Sequence, residues 1–101
     1  MARGDVDGRM TDADVRELHD HLDATAELPV RPAASVRLGE AAAIAADVAD
    51  ADLPREVVVE RVQKVASLLD GIETTGNERA TDHVVAARRA ATRILDESEN
   101  G

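Results

Sequence analysis

The chain contains no phenylalanine, tyrosine or tryptophan. Its core must therefore be built from valine, leucine, isoleucine and alanine, because these are the remaining side chains that favour burial. The missing aromatic rings also exclude the platforms on which nucleic-acid bases stack and the commonest anchors of protein interfaces. A chain of 101 residues predicts one domain, which buries roughly two-thirds of its unfolded surface.

The charge balance of the chain is strongly acidic. Twenty-one acidic residues outnumber twelve basic ones, which gives a net charge of −9, and Lys64 is the only lysine. Together with abundant alanine and valine, this balance resembles that of proteins from extremely halophilic archaea, whose cytoplasm holds molar salt. At about 1 M salt the Debye length falls to roughly 3 Å, so repulsion among surface carboxylates is largely screened. We predict a halophilic protein that KCl stabilises. Without the halophilic context, the same charge would indicate an acidic interaction module.

The sequence indicates neither a membrane segment nor an oxidising compartment. The absence of cysteine excludes disulfides, thiolate metal sites and thiol nucleophiles. The longest apolar stretch, EAAAIAADVADA, is interrupted by acids and is far shorter than the roughly 20 residues that span a bilayer. The N-terminus lacks the apolar core of a signal peptide. We therefore expect a soluble, cytoplasmic protein that does not bind membranes.

Four segments have the periodicity of amphipathic helices, and prolines or polar turns separate them. The predicted helices cover about residues 12–26, 32–50, 54–71 and 78–96. Thr11 is the predicted N-cap of the first helix and Gly71 the C-cap of the third, while Asn77 or Thr81 caps the fourth. The predicted apolar stripes are Val15, Leu18, Leu22 and Thr25 or Ala26; Ala34, Leu38, Ala41, Ala45 and Val48; Val58, Val62, Val65, Leu69 and Ile72; and Ala80, Val84, Ala87, Ala91 and Ile94 or Leu95.

Short connections between four helices favour antiparallel neighbours. The sequence therefore predicts an all-α fold, a four-helix up-down bundle over residues 11–96. Residues 1–10 carry glycines and alternating charges without a helical period and are predicted to form a disordered arm, and residues 97–101 a frayed tail.

The stretch ELHDHLDATAELP places two histidines beside acids. On a helix His19 and His21 lie roughly 160° apart, because successive residues are separated by about 100°. Each has an acid four residues away, Asp23 after His19 and Glu17 before His21, and two adjacent ligands make only an open surface site. We predict boundary histidines that hydrogen-bond to acids, with no metal centre and no cofactor. The candidates for metal ligands are His19, Asp23 and His83, which could approach one histidine of the first helix.

No motif for catalysis is present. The sequence has no glycine-rich phosphate loop and no nucleophile–base arrangement that spacing alone supports. Arginines of the fourth predicted helix share its outer face with acids, which is typical of a solvated surface rather than a nucleic-acid site. We predict a protein that has no catalytic residues, is not an enzyme and binds no nucleic acid.

Two arginines project into the apolar arcs of their predicted helices, Arg37 in the second and Arg61 in the third. A guanidinium group in such a position must extend to solvent, pair with an acid or hold an anion. The first two outcomes make these arginines structural. The third predicts an anion or small-ligand pocket shared by Arg37 and Arg61.

The second predicted helix has another stripe of small apolar residues opposite its core side: Val36, Gly39, Ala43 and Ala46. A helix that is apolar nearly all round is expected to be buried on both sides, whereas a small bundle buries one face of each helix. Self-association across a twofold axis would cover the second face, and C2 dimers are the commonest assembly. Alternatively, the alanines are simply good helix formers on a solvated surface.

Four stretches also carry a resemblance: LHDHLDATAELPV, GEAAAIAADVADADLP, VVVERVQKVASLLDGIETTGN and DHVVAARRAATRIL. From the first to the fourth predicted helix, the chain resembles a small family of haloarchaeal helical proteins with a domain of unknown function. That family has no assigned activity, so the resemblance implies only source and compartment. Our functional hypothesis is a non-enzymatic interaction or regulatory module that forms a homodimer and binds an unidentified protein partner. The alternative is a protein that binds a small ligand, an anion or a metal through boundary histidines and arginines.

Overall fold

Four α-helices make up the fold. The computed structural model describes the backbone of residues 3–51 and 53–100 and the side chains of residues 13–51 and 53–97. The helices are α1 (Arg3–Thr25), α2 (Pro32–Asp50), α3 (Arg55–Asp70) and α4 (Glu78–Asn100). No strand occurs within the described backbone. The predicted all-α four-helix bundle is therefore confirmed.

The helices form a closed ring in which each packs against two neighbours. α1 contacts α2 and α4, and α3 contacts the same two helices, within a body of 45 × 22 × 22 Å. Asp14 near the middle of α1 pairs with Arg93 late in α4, whereas His21 near the end of α1 meets His83 early in α4. The first and last helices are therefore antiparallel, as an up-down bundle requires.

The core consists of aliphatic side chains, because no aromatic ring is available to fill it. Its members, all less than a tenth exposed, are Val15, Leu18, Leu22, Ala34, Leu38, Ala41, Ala45, Val48, Val62, Val65, Leu69, Val84, Ala87, Ala90, Ala91 and Ile94. The predicted stripe of the second helix lies entirely in this core. Ala90 also lies in the core, although it was not among the residues of the predicted stripes. Val58, Ile72 and Leu95 are only partly buried, at the edge of the core.

Thr25 fills the position for which either Thr25 or Ala26 was predicted. Its side chain is buried and its hydroxyl donates a hydrogen bond to the carbonyl of Leu22 at 2.6 Å. Ala26, the alternative, is exposed. A buried hydroxyl must have a partner, and the preceding helical turn supplies one.

The helix boundaries agree with prediction except at the two ends of the chain. α2 covers the predicted residues, with Pro32 in its first turn. α1 begins at Arg3, so Thr11 lies within the helix, and α4 continues to Asn100. Of the predicted arm and tail, Met1, Ala2 and Gly101 lie outside the described residues.

The loops at one end of the bundle are tied together. The backbone N–H of Arg31, before α2, donates to the carbonyl of Thr75, before α4, at 2.8 Å. Asn77 caps α4, as predicted, because its Oδ1 accepts a hydrogen bond from the N–H of Ala80 at 3.1 Å. The buried hydroxyl of Thr75 donates to the Asn77 carbonyl and accepts from the Asn77 N–H. None of the helices in the described part of the chain has the length and hydropathy of a membrane-crossing segment.

Candidate functional site

A row of polar side chains runs along one edge of the contact between α1 and α4. At its centre, Nδ1 of His21 and Nδ1 of His83 are 3.0 Å apart, and the ring centroids are separated by 5.2 Å. Oε2 of Glu17 lies 3.9 Å from Nε2 of His21, on the side of the ring away from His83. The expected approach of His83 to a histidine of the first helix thus occurs at His21, which was not among the predicted metal ligands.

Arg93 continues this row toward the far end of α4. Its guanidinium lies 3.1 Å from Oδ1 of Asp14 and 3.0 Å from Oε2 of Glu17, both on α1. Hydrogen bonds to Asp14 first and then to Glu17 raise the pKa of Arg93 above its usual value. The carboxylate of Glu17 therefore lies between the guanidinium of Arg93 and the ring of His21.

An open groove lies beside His83, between the end of α1 and the start of α4. It has a volume of about 630 Å³, and its charged lining consists of Asp20, Asp23, Glu27, Asp82 and one cation, Arg79. Carboxylates outnumber the guanidinium, so the groove favours cations. Of the predicted metal ligands, Asp23 and His83 line it, whereas His19 is half-buried on α1. Among residues with described side chains, no group of three or more histidines and acids lies close enough together to hold a metal ion.

The two arginines predicted to share an anion pocket both have exposed side chains. The guanidinium of Arg37 lies over Gly71 at the end of α3, so close that a Cβ on this glycine would be 2.5 Å from its Nη1. Arg61 is ten residues earlier in the same helix, about 15 Å along its axis. Shared binding of an anion by Arg37 and Arg61 stays a prediction.

The outer face of α2, defined by Val36, Gly39, Ala43 and Ala46, points away from the bundle. Val36 is 70% exposed, and a Cβ added to Gly39 would meet no atom within 4 Å. Ala43 is exposed as well, and Ala46 is half-buried. Val36 and Val85 are the large apolar residues that are exposed among the described side chains.

A crevice of about 170 Å³ opens beside this outer face, between α2 and the turn that follows α1. Gly39 contributes to both surfaces, and the other lining residues are Leu22, Thr25, Ala26, Leu28, Val30, Ser35, Leu38 and Ala42. Most of these side chains are aliphatic, so the crevice suits an apolar group. The helical period identified the outer face, but it gave no sign of the crevice, which needs two helices and a turn.

Two of the four arginines of α4 form ion pairs with neighbouring helices. Arg88 binds Asp70 of α3 at 2.7 Å, and Arg93 binds α1 as described above. The sequence analysis had placed Arg93, together with Arg89, on an outer face shared with Asp82 and Asp96 of the same helix. The difference arises because helical spacing cannot show which residues of two separate helices lie at the same height.

Comparison with known proteins gives one match. The model of a protein family described as Domain of unknown function (DUF8152) matches residues 14–101. The matched segment begins within α1 and includes all of α2, α3 and α4. No curated protein and no solved structure matches the chain. The chain therefore belongs to the family described as Domain of unknown function (DUF8152).

Proposed function

We propose that this protein is a homodimeric interaction module of a halophilic archaeal cytoplasm, which acts through surfaces and not through catalysis. The outer face of α2 is the contact between the two copies. The observation that carries the proposal is that Val36 is 70% exposed and shares its face of α2 with the small residues Gly39 and Ala43. An exposed valine next to glycine and alanine leaves room for a second helix to approach closely.

The outer face and its neighbouring crevice are complementary to each other. Val36 is a projecting apolar group, and Gly39 lies at the mouth of an apolar crevice one turn further along the same helix. Two copies related by a twofold axis present both features to each other, so each valine can enter the crevice of the partner copy. α2 thus supplies the projecting valine and one wall of the crevice, and the end of α1 with the turn that follows it supplies the other wall.

High salt favours this contact. The outer face is flanked by Glu40, Asp47 and Asp50, all exposed. A twofold axis brings equal charges near each other, so the flanking acids repel across the contact in dilute buffer. Molar KCl screens that repulsion. Self-association is therefore expected to strengthen as the KCl concentration rises.

Sedimentation equilibrium in molar KCl tests the proposal through two alanines of α2. Ala43→Glu places a carboxylate in the contact and is expected to weaken dimerisation on the order of a hundredfold, because a buried charge without a partner costs several kcal/mol. Ala49→Glu is the control, since Ala49 is also exposed on α2 but is rotated roughly 120° from Ala43. A wild-type chain that sediments as a monomer, or equal effects of the two substitutions, would refute the proposal.

A second pair of variants separates α2 from other apolar surfaces. Val36→Ser is expected to weaken dimerisation about tenfold, because a buried valine contributes about 1.5 kcal/mol or more. Val85→Ser removes the second exposed valine among the described side chains, which is 42% exposed on α4, and is expected to leave the dimer unchanged. The reverse result would place the contact on α4.

A further inference from the structure

We infer that His21 and His83 form a binding site for a late first-row transition-metal ion, with Cu²⁺ and Ni²⁺ preferred to Zn²⁺. The two Nδ1 atoms are 3.0 Å apart and come from different helices. One ring donates an N–H hydrogen bond to the other when no ion is present, so the two nitrogens face each other across a small space. The site is separate from the outer face of α2 and does not depend on self-association.

The separation of the two nitrogens fits the geometry of these ions. Imidazole nitrogens bind at about 2.0–2.1 Å from a divalent metal. Two such bonds at a right angle place the nitrogens about 2.9 Å apart, whereas a tetrahedral angle places them about 3.4 Å apart. The observed separation of 3.0 Å is the length of the hydrogen bond between the two rings, and a small movement of the rings reaches either angle. The preference for Cu²⁺ and Ni²⁺ follows from the high affinity of imidazole nitrogen for these ions and from their tetragonal geometry, which leaves positions open for water.

The rings can adopt the arrangement that an ion requires. For both lone pairs to converge on one ion, each imidazole must turn by roughly 40° from the line that joins the two nitrogens. The side chain of His21 is 28% exposed, and the ring of His83 borders the open groove. Neither ring is enclosed in the core, so this turn does not disturb the packing of α1 against α4.

The groups behind and beside the histidines support a cation. When Nδ1 of His21 binds the ion, its Nε2–H faces Oε2 of Glu17, which is 3.9 Å away and held by Arg93 at 3.0 Å. At 3.9 Å this carboxylate is too far away for a hydrogen bond, but its negative charge favours a cation bound to the ring. The groove beside His83 adds four carboxylates against the single guanidinium of Arg79, which raises the local concentration of cations.

The site has two protein ligands and open positions for water. No third histidine or acid comes within reach in the portion of the chain whose side chains are described. The bound ion joins α1 to α4, so it stabilises the folded chain by an amount that rises with the logarithm of its concentration over its Kd. Mg²⁺, which prefers oxygen ligands, does not substitute for it.

Titration of a tag-free chain with CuCl₂, NiCl₂, ZnCl₂ and MgCl₂ in molar KCl tests this inference by calorimetry and thermal melting. We expect one Cu²⁺ or Ni²⁺ per chain, weaker Zn²⁺ binding, no Mg²⁺ effect and a rise in Tm with the bound ion. His21→Gln and His83→Gln are each expected to weaken binding by about tenfold or more. His19→Gln is the matched control, because His19 is the remaining histidine of the chain, and is expected to change neither affinity nor Tm.

The electron paramagnetic resonance spectrum of the Cu²⁺ complex provides a test that needs no variant. Couplings to two equivalent imidazole nitrogens are expected, and a spectrum with fewer than two overturns the inference. Binding that survives both His21→Gln and His83→Gln, or that His19→Gln weakens equally, overturns it too. Circular dichroism of each metal-free variant confirms that the helices remain, and Ala43→Glu should bind the ion as tightly as wild type.

Discussion

Two glycines at the ends of the α3–α4 loop are needed for different reasons. Gly76 has a φ of +78°, in the left-handed region that side chains other than glycine avoid, and it is the only such glycine in the described backbone. Gly71 has an ordinary φ of −79°, and there the constraint is the guanidinium of Arg37. The backbone itself demands glycine at the first position, whereas a movable neighbour favours it at the second.

Gly76→Ala is expected to lower the free energy of unfolding by about 1–2 kcal/mol, because a Cβ is strained in this backbone conformation. Gly71→Ala should cost clearly less, since the exposed Arg37 side chain can move aside. Urea unfolding in molar KCl measures both variants. Equal losses would show that φ at Gly76 is not the controlling factor.

Single residues were predicted well where only their own helix mattered. The helical periodicity of the sequence placed Leu18, Leu38 and Leu69 on buried faces, and each of these residues is at most 3% exposed. It did not show which histidine of α1 meets His83, because that contact depends on how two helices align and joins residues that are 62 positions apart in the sequence.

At the level of the element, caps explain which helix ends were predicted. Pro32 begins α2 and Asn77 caps α4. Each residue acts on the first turn of its own helix. The start of α1 at Arg3 and the end of α4 at Asn100 have no such marker. Once a helix is nucleated, each added residue gains one hydrogen bond. No proline in these terminal runs stops that propagation.

Asn77→Ala should reduce the free energy of unfolding by about 1 kcal/mol, because it removes the acceptor for the Ala80 N–H. Asn77→Asp keeps that acceptor and adds a charge that suits a helix N-terminus, so it should preserve or slightly increase stability. Thermal unfolding of the three chains under identical salt compares them. A loss in Asn77→Asp as large as that in Asn77→Ala would contradict the capping role.

For the whole molecule, a net charge of −9 makes stability a function of salt. Carboxylates repel one another across the small folded body more than in the extended chain, so dilute buffer weakens the fold. Between about 0.1 M and 1 M salt the Debye length falls from roughly 10 Å to roughly 3 Å. Stability should therefore rise over this range.

The expected gain of about 2 kcal/mol corresponds to an increase in Tm of about 8–16 °C for a domain of this size. Melting curves of Ala43→Glu measured in KCl separate this effect from dimerisation. Replacing the exposed groove acids Asp20, Asp23 and Glu27 by amides should make Tm depend less on salt. A Tm that is the same in dilute buffer and in molar KCl would exclude charge repulsion as a determinant of stability.

Self-association through α2 can be tested most directly by cross-linking, because the natural chain has no cysteine and an introduced thiol is unique. Ala43→Cys and Ala49→Cys each add one thiol to an exposed position of α2. In molar KCl, a short bis-maleimide reagent should convert Ala43→Cys into covalent dimer much faster than Ala49→Cys. Equal slow rates at both positions would mean that the outer face of α2 does not join two copies.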